Sequence, residues 1–144
     1  MNENLYEVIL FLIDQASKSA KRYSQREMDQ RGLDITVDQF VLLKLIAQHN
    51  GLSQKELGEK SLRDRASITR TLDLLEKKGL IVREADPNSR RQYHLHLTKS
   101  GTTFITTYMP LIESLRSKSL EGFSESEIET FKSYLLRLKG NFEG

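Results

Sequence analysis

The residues in this sequence best suited to chemistry are arginines and small hydroxyls on one short predicted helix, from about Asp64 to Lys78. On a helical wheel, Ile68, Leu72 and Leu75 lie together and must face a core. The far side, in the N-terminal half, then presents four polar residues: Arg65, Ser67, Thr69 and Arg70. Guanidinium groups can bond a guanine edge at two positions, and small hydroxyls allow close approach to a base. The pattern favours a helix that contacts DNA, and a solvated face with scattered arginines is the alternative.

A second basic site lies in the segment Asp86-Pro-Asn-Ser-Arg-Arg91, whose composition is typical of a turn between two strands. Two consecutive arginines at the end of an exposed hairpin contribute nothing to a core. A hairpin end is narrow enough for the minor groove of DNA, where the focused negative potential attracts arginine. Asp86 is expected to hold one of the two arginines in an ion pair. The alternative is a basic loop that only aids solubility, but the spacing of the two basic sites favours a shared role.

Other chemistry finds less support in the sequence. His94 and His96 are two residues apart on one face of a predicted strand, a spacing that can hold a metal ion. No acidic residue lies within that strand and the chain has no cysteine, so a solvated strand face is favoured. There is no glycine-rich phosphate loop, no paired-histidine zinc motif and no nucleophile elbow. We therefore expect no catalytic site, no cofactor and no metal.

Composition places these residues in a single-domain-sized chain of 144 residues with a net charge of only +2. Between Gly51 and Lys99 there are 11 basic and 7 acidic residues, a charge of +4, whereas the rest has 11 basic and 13 acidic residues, a charge of −2. An anion is therefore expected to bind the middle third. The longest apolar run near the start, Val8 to Ile13, is too short for a signal peptide or a membrane span. We expect a soluble cytoplasmic protein that does not bind a membrane.

Helix-start signals predict the elements that position the two basic sites. Thr36-x-x-Gln39 and Ser53-x-x-Glu56 are capping boxes that open two helices. The second of these and the helix from about Asp64 form two short helices joined by a tight turn, the outline of a helix-turn-helix. The segment that follows alternates as two strands, so the turn with the arginines is the end of a hairpin, or wing.

The terminal segments are predicted to be helices with wide apolar sides. A helix from about Asn4 to Gln30 is longer than one small domain needs, so its apolar side favours an oligomer interface. Near the other end Pro110 is expected to kink a long helix, and the last helix is expected to bury four residues: Ile128, Phe131, Leu135 and Leu138. The sequence thus predicts a mainly α protein with a small β-hairpin wing, divided into an N-terminal dimerisation helix (1–34), a winged helix-turn-helix (35–98) and C-terminal dimerisation helices (99–144).

Six segments in order resemble one protein family. They are Thr36-Val-Asp-Gln-Phe-Val-Leu-Leu43, Leu52-Ser-Gln-Lys-Glu-Leu57, Ser67-Ile-Thr-Arg70, Leu74-Leu-Glu-Lys-Lys-Gly-Leu-Ile81, Asp86-Pro-Asn-Ser-Arg-Arg91 and Leu97-Thr-Lys-Ser-Gly101. Together they resemble the MarR (multiple-antibiotic-resistance) family of winged helix-turn-helix transcription factors. Val37 stands where that family often has proline. Ser89 stands where its wing often has aspartate, which removes an ion pair to an arginine.

The resemblance implies an obligate homodimer whose terminal helices interlock and whose recognition helix enters the major groove of double-stranded DNA. It also implies that Arg90 or Arg91 enters the adjacent minor groove. The predicted DNA-contacting set is Ser53, Gln54, Arg63, Arg65, Ser67, Thr69, Arg70, Arg90 and Arg91. A small lipophilic or anionic effector is implied as well. Arg22, Tyr23 and Tyr108 are candidates to line its pocket, but core packing is the favoured role of the two tyrosines.

Two functions from different classes follow from this sequence. The first is a sequence-specific transcriptional regulator, expected to be a repressor, that binds a palindromic operator with half-sites about one helical turn apart. The alternative is a winged-helix module that binds proteins and not DNA, which the low net charge favours. A small enzyme is a third class, and no feature of the sequence suggests a substrate.

Overall fold

The computed structural model describes residues 2–144, and within them the chain is mainly helical with one two-stranded antiparallel sheet. After a 3-10 turn at Leu5–Glu7, the elements are α1 (Ile9–Gln30), α2 (Val37–Gln48), α3 (Gln54–Ser61), α4 (Arg65–Lys77), β1 (Ile81–Asp86), β2 (Ser89–Leu97), α5 (Lys99–Ser119) and α6 (Glu125–Gly140). The predicted winged helix-turn-helix order is confirmed. The chain divides into two compact units, the first ending at Pro110 and the second spanning Leu111–Gly144.

Side-chain caps begin α2 and α3. The Thr36 hydroxyl accepts from the Gln39 N–H at 3.1 Å, and the Gln39 side chain accepts from the Thr36 N–H at 2.9 Å. Ser53 and Glu56 form the same reciprocal pair before α3, and the Ser53 N–H holds the pKa of the Glu56 carboxyl below its usual range. Both predicted capping boxes are therefore confirmed. Their bonds satisfy backbone N–H groups that a helix start leaves without a partner.

The core of the first unit is formed where α2, α3, α4 and β2 meet. On α4, Ile68, Leu72 and Leu75 are at most 1% exposed, which confirms the core side predicted from the helical wheel. Apolar residues from the neighbouring elements complete this core: Phe40, Leu42, Leu43, Ile46, Leu57 and Leu95. Because one side of α4 is committed to this core, its opposite side faces outwards.

The hairpin has an irregular register near its turn. Ala85 pairs with Tyr93, but the next residue, Asp86, pairs with Ser89. The three residues 90–92 of β2 therefore have no partner in β1, and they bulge from the ladder. At its base, the strand is joined to the loop before α3, because the Leu95 N–H donates to the Leu52 carbonyl oxygen at 2.9 Å.

The N-terminal helix differs from its prediction in one detail. Val8 is extended, with φ −87° and ψ 122°, and it separates the 3-10 turn from α1. The predicted continuous helix from Asn4 is therefore wrong at its first turn. Met28 is the one buried residue of α1, and several large apolar side chains are exposed, namely Leu5, Tyr6, Ile9, Leu10 and Leu12.

In the second unit, the apolar face predicted for α6 is not buried. Phe131 is 51% exposed and Leu135 is 37% exposed, and none of the α6 residues that the structure describes is buried. This face is thus left open in a single chain, and its predicted burial, which was expected to involve a second subunit, stays a prediction. Across residues 2–144, no helix is both long and apolar enough to span a bilayer.

Candidate nucleic-acid interface

The outward side of α4 carries two arginines without acidic partners. Arg65 and Arg70 are exposed, and neither forms an ion pair with any residue in the described range 2–144. Asp64 caps the helix by accepting from the Ser67 N–H at 2.8 Å, so Ser67 lies in the first turn. This side therefore presents unpaired guanidinium groups beside a helix N-terminus, as its wheel position predicted.

Thr69 connects α4 with the first residue of α3. Its hydroxyl donates to the Arg65 carbonyl oxygen at 3.0 Å, a bond along the helix. The Gln54 side-chain amide nitrogen, Nε2, donates to the same hydroxyl oxygen at 3.1 Å. Two members of the predicted DNA-contacting set are thus in direct contact across the helix-turn-helix.

The bulge in the wing presents the predicted arginine pair. Arg90 and Arg91 are both exposed, and within the part of the chain that the structure describes neither has an acidic partner. Their position follows from the register shift, which gives β2 three residues that the ladder does not use.

Asp86 does not hold an arginine, so that prediction is wrong. Its carboxylate lies 3.2 Å from His94 Nε2 and accepts from the Asn88 N–H at 2.8 Å. In the ladder His94 pairs with Glu84, two residues before Asp86 on the same strand, whereas the two arginines lie in the bulge and have no partner in β1. The Asn88 N–H, and then His94, hold the pKa of the Asp86 carboxyl below its usual range.

Both wing histidines have protein partners. His94 Nδ1 lies 2.9 Å from the Gly51 carbonyl oxygen, and this contact together with Asp86 raises the pKa of His94. His96 contacts the Asn50 side-chain oxygen at 3.0 Å and Glu84 at 3.5 Å. Among the residues described, no three His, Cys, Asp or Glu side chains are grouped as a metal site would require.

A cleft of about 690 Å³ lies between α3, the start of α4 and the bulged part of β2. Five of the predicted residues line it: Gln54, Arg63, Arg65, Thr69 and Arg91. Lys55 adds another cation and Glu59 one acid, so basic side chains outnumber acidic ones and the cleft suits an anion. Sequence reasoning missed Lys55, which lies on α3, and it missed Gln92 and Tyr93, which line this cleft because the hairpin folds beside α3.

Two residues of the predicted set have structural roles instead. Ser53 is 5% exposed and its hydroxyl caps α3, so little of it is accessible to a ligand. The Arg63 guanidinium is half-buried and bonds Asp38 at 2.9 Å, which lowers the pKa of that carboxyl. We therefore withdraw Ser53 from the set and treat Arg63 as a residue that positions the turn between α3 and α4.

Arg83 positions α4, and the sequence analysis did not identify this residue. From β1 its guanidinium contacts Asp73 at 2.7 Å and Glu76 at 3.0 Å, both on α4. The contact with Glu76 raises the pKa of Arg83 and lowers that of Glu76. Two acids three residues apart on one helix, followed by an arginine on the next strand, are the signal that could have revealed it.

Comparison with known proteins gives matches over most of the chain. Residues 35–93 match the model of the MarR family. The uncharacterized HTH-type transcriptional regulator YdcH of Bacillus subtilis is 32% identical over 109 residues, which cover 73% of each chain. The crystal structure of MarR is 30% identical, with a TM-score of 0.77, and covers 93% of this chain and 96% of that one.

A complex of S. aureus MepR with DNA has the same fold as this chain. Its TM-score is 0.84 at 24% identity, and the match covers 94% of this chain and 98% of MepR.

Proposed function

This chain belongs to the MarR family of transcriptional regulators, and from that premise we propose that it acts as a homodimeric repressor on a palindromic operator. The observation that carries the proposal is the surface of unpaired arginines that α4 and the wing present around the basic cleft. The fold is that of a winged helix-turn-helix, and MepR of the same fold has been solved with DNA. This support is for a DNA-binding regulator and not for the alternative protein-binding module.

In the proposed complex α4 lies in the major groove, which is wide enough for an α-helix. Arg70 and Ser67 face outwards from its N-terminal half, where side chains can approach base edges. The helix N-terminus also offers free N–H groups to a phosphate. Arg83 and Arg63, bonded to acids of the same unit, hold α4 at a fixed angle to β1 and α2.

The wing is proposed to contact the adjacent minor groove. The bulge at residues 90–92 places two unpaired guanidinium groups outside the ladder. A narrow minor groove has an enhanced negative potential that attracts arginine without a base-specific bond. The proposed role of Arg90 and Arg91 is therefore affinity more than selection between sequences.

The dimer is proposed on the exposed apolar faces of the terminal helices. Monomeric proteins rarely leave large contiguous apolar patches exposed, and such patches are typical of interfaces. The side chains involved on α1 include Leu10 and Leu12, and those on α6 include Phe131 and Leu135. We keep residues 1–34 and 99–144 as the proposed dimerisation segments and residues 35–98 as the DNA-binding segment. A two-fold dimer matches a palindrome with half-sites about one helical turn apart.

A small lipophilic or anionic effector is proposed to release the DNA. The support on the first unit is an aromatic cluster in which Phe104 contacts Tyr108, with ring centroids 4.8 Å apart, and lies 6.5 Å from Phe40. The proposed role includes no catalysis. Because a regulator acts where the genome is, the proposed location is the cytoplasm.

The proposal is tested by titrating the protein against fluorescent duplexes. One duplex carries the DNA next to its own gene, and the other is a scrambled sequence of the same composition. We expect sub-micromolar binding to the first duplex and an affinity that falls steeply with salt, since bound phosphates release counterions. Equal affinity for both duplexes would exclude sequence-specific regulation, and no binding to either would exclude a DNA-binding role.

A further inference from the structure

The contact between Gln54 and Thr69 determines which way a side-chain amide points. An amide has one end that accepts and one end that donates, so Gln54 can in principle turn either end to a neighbour. The Thr69 hydroxyl has a single proton, and it donates that proton to the Arg65 carbonyl oxygen at 3.0 Å. Towards Gln54 the hydroxyl can then only accept. The NH2 group of Gln54 must therefore face Thr69, as the distance of 3.1 Å from Nε2 to Oγ1 shows.

The rest of the amide is free for a ligand. Within residues 2–144 the Gln54 side-chain oxygen, Oε1, accepts no hydrogen bond, and Nε2 has a second proton that Thr69 does not use. Gln54 lines the basic cleft as the first residue of α3, beside the half of α4 that carries Arg65. It thus presents one acceptor and one donor, side by side, to whatever α4 contacts.

Of the four bases, adenine matches this arrangement in the major groove. Its edge offers an N6 amino donor beside an N7 acceptor, which pair with the amide oxygen and the remaining N–H of Gln54. Guanine offers two acceptors, O6 and N7, so the amide oxygen would meet another oxygen. A freely turning amide could present its NH2 group to guanine instead, but Thr69 prevents that turn.

We propose that Gln54 recognises an adenine in each operator half-site and that Thr69 acts as a positioning residue that keeps Gln54 from accepting guanine. This inference rests on the proposed function, because it requires α4 to lie in the major groove. It adds a base identity and assigns the discrimination to a pair of residues on two helices. Thr69 then contributes through the Gln54 amide and not through its own contact with a base.

The experiment selects duplexes from a random pool with the full chain and compares the motifs enriched by five proteins, the wild type and four variants. The wild type is expected to enrich a motif with one adenine position in each half-site that depends on Gln54. Gln54→Ala should lose the preference at that position alone, by about 5- to 150-fold between adenine and guanine. Thr69→Val should lose part of it, with guanine gaining most, while Thr69→Ser keeps the hydroxyl and the preference.

Thr106→Val is the matched control for the threonine substitution. Thr106 donates to the Thr102 carbonyl oxygen at 3.0 Å, the same bond along a helix, but on α5. The Thr106→Val variant should enrich the same motif as the wild type. A change seen only in Thr69→Val then reflects the orientation of the Gln54 amide and not the loss of a hydrogen bond along a helix.

Each result has a distinct meaning. A motif unchanged in Gln54→Ala would overturn the adenine contact, and a lost position that held another base would overturn the base identity. A change in Gln54→Ala with none in Thr69→Val would overturn the positioning role of Thr69. If the wild type enriches no motif at all, the proposed function itself fails and this inference fails with it.

Discussion

On α4 the apolar residues Ile68 and Leu72 are at most 1% exposed, whereas on α6 Phe131, Tyr134 and Leu136 are each more than half exposed. Both helices are amphipathic, but α4 buries its apolar side, whereas α6 leaves its apolar side exposed. The core of the first unit closes over the apolar side of α4, so its polar side faces outwards, where DNA contact is proposed. Nothing described in the second unit buries the apolar residues of α6, and this is the side on which the dimer is proposed. The difference is that the apolar side of α4 is buried within a single chain, whereas the apolar residues of α6 are left exposed, and the proposed dimer would cover them.

Arginines of the first unit also fall into two groups, one that is bonded to acids and one that is exposed. Arg63 and Arg83 are half-buried and bonded to acids of α2 and α4. Arg65 and Arg70 are exposed and, among the residues described, have no acidic partner. An ion pair already formed leaves little charge for a phosphate, so the paired arginines position α4 and the unpaired ones are available to DNA.

The largest effect is expected from a charge on the apolar face of α6. Leu135→Glu should give a protein of half the wild-type mass in sedimentation, because a carboxylate cannot be buried in an apolar interface without a large cost. DNA affinity should fall by about 100-fold or more, since two half-sites bound by one dimer reinforce each other. Ser133→Glu, about 160° away on the wheel, is the control and should stay dimeric. A dimeric Leu135→Glu with normal DNA affinity would place the interface elsewhere.

The next largest effect is expected from truncating a core residue of the first unit, and it should appear as a loss of folding stability. Leu72 is fully buried, and Leu72→Ala should lower the free energy of unfolding by about 2–5 kcal/mol, through lost contacts and a cavity. Urea unfolding at one protein concentration measures this. Val41→Ala removes an exposed apolar side chain from α2 and should cost less than about 0.5 kcal/mol. An equal loss of unfolding free energy in Leu72→Ala and Val41→Ala would contradict the assignment of Leu72 to the core and of Val41 to the surface.

A smaller loss, in DNA binding alone, is expected for Arg70→Ala. The cost on a selected duplex should be about 1–3 kcal/mol, with relaxed specificity, if the guanidinium contacts a base. Thermal unfolding should be nearly unchanged, because Arg70 is exposed and has no acidic partner among the described residues. Arg116→Ala, at an exposed arginine of the second unit, should retain the affinity of the wild type. An equal loss on selected and random duplexes would contradict base contact.

Removal of both wing arginines should weaken binding with less dependence on sequence. In the double variant Arg90→Ala/Arg91→Ala, affinity should fall for selected and scrambled duplexes alike. The salt slope should be shallower by about 2, since two cations no longer displace counterions. Fluorescence titrations at several salt concentrations give both quantities. Affinity and slope equal to the wild type would show that the wing does not touch DNA.

The smallest effect is a pH dependence of stability from His94. The Gly51 carbonyl oxygen and the Asp86 carboxylate face its two ring nitrogens, and both are acceptors, so the full set of bonds needs the protonated ring. The pKa of His94 is raised, so the stabilisation is complete below the ordinary imidazole pKa of about 6.5 and is lost as pH rises through the raised value. Two carboxylates act on the ring, that of Asp86 on β1 and that of Glu56 on α3. Both have lowered pKa values, so they stay ionised while His94 titrates.

Denaturant unfolding from about pH 5.5 to about pH 8.5 checks the sign. The wild type should lose stability relative to His94→Gln as pH rises. Asp86→Asn should flatten the same difference, because the carboxylate is one of the two acceptors of the ring. Parallel curves for the wild type and His94→Gln would exclude His94 as the source.

Much of the fold was predictable because its signals are local. The capping boxes at Thr36 and Ser53 act over three residues, and the core side of α4 follows from helical periodicity alone. The exposure of Arg65 and Arg70 followed as well, since the side opposite a buried stripe must face outwards. The first turn of the N-terminal helix was not predictable in this way, because the apolar pattern continues through the extended Val8.

The sequence by itself determined where α2, α3 and α4 begin, which side of α4 is apolar and that a basic hairpin follows α4. Tertiary structure alone decided that Ser53 is buried, that Arg63 bonds Asp38, that Asp86 faces His94 and that Arg83 bonds α4. A cap or a helical stripe depends on neighbours a few residues away, whose distances the helix geometry sets. These ion pairs join residues 7 to 25 positions apart, and their distances depend on hairpin register and on the packing of whole elements.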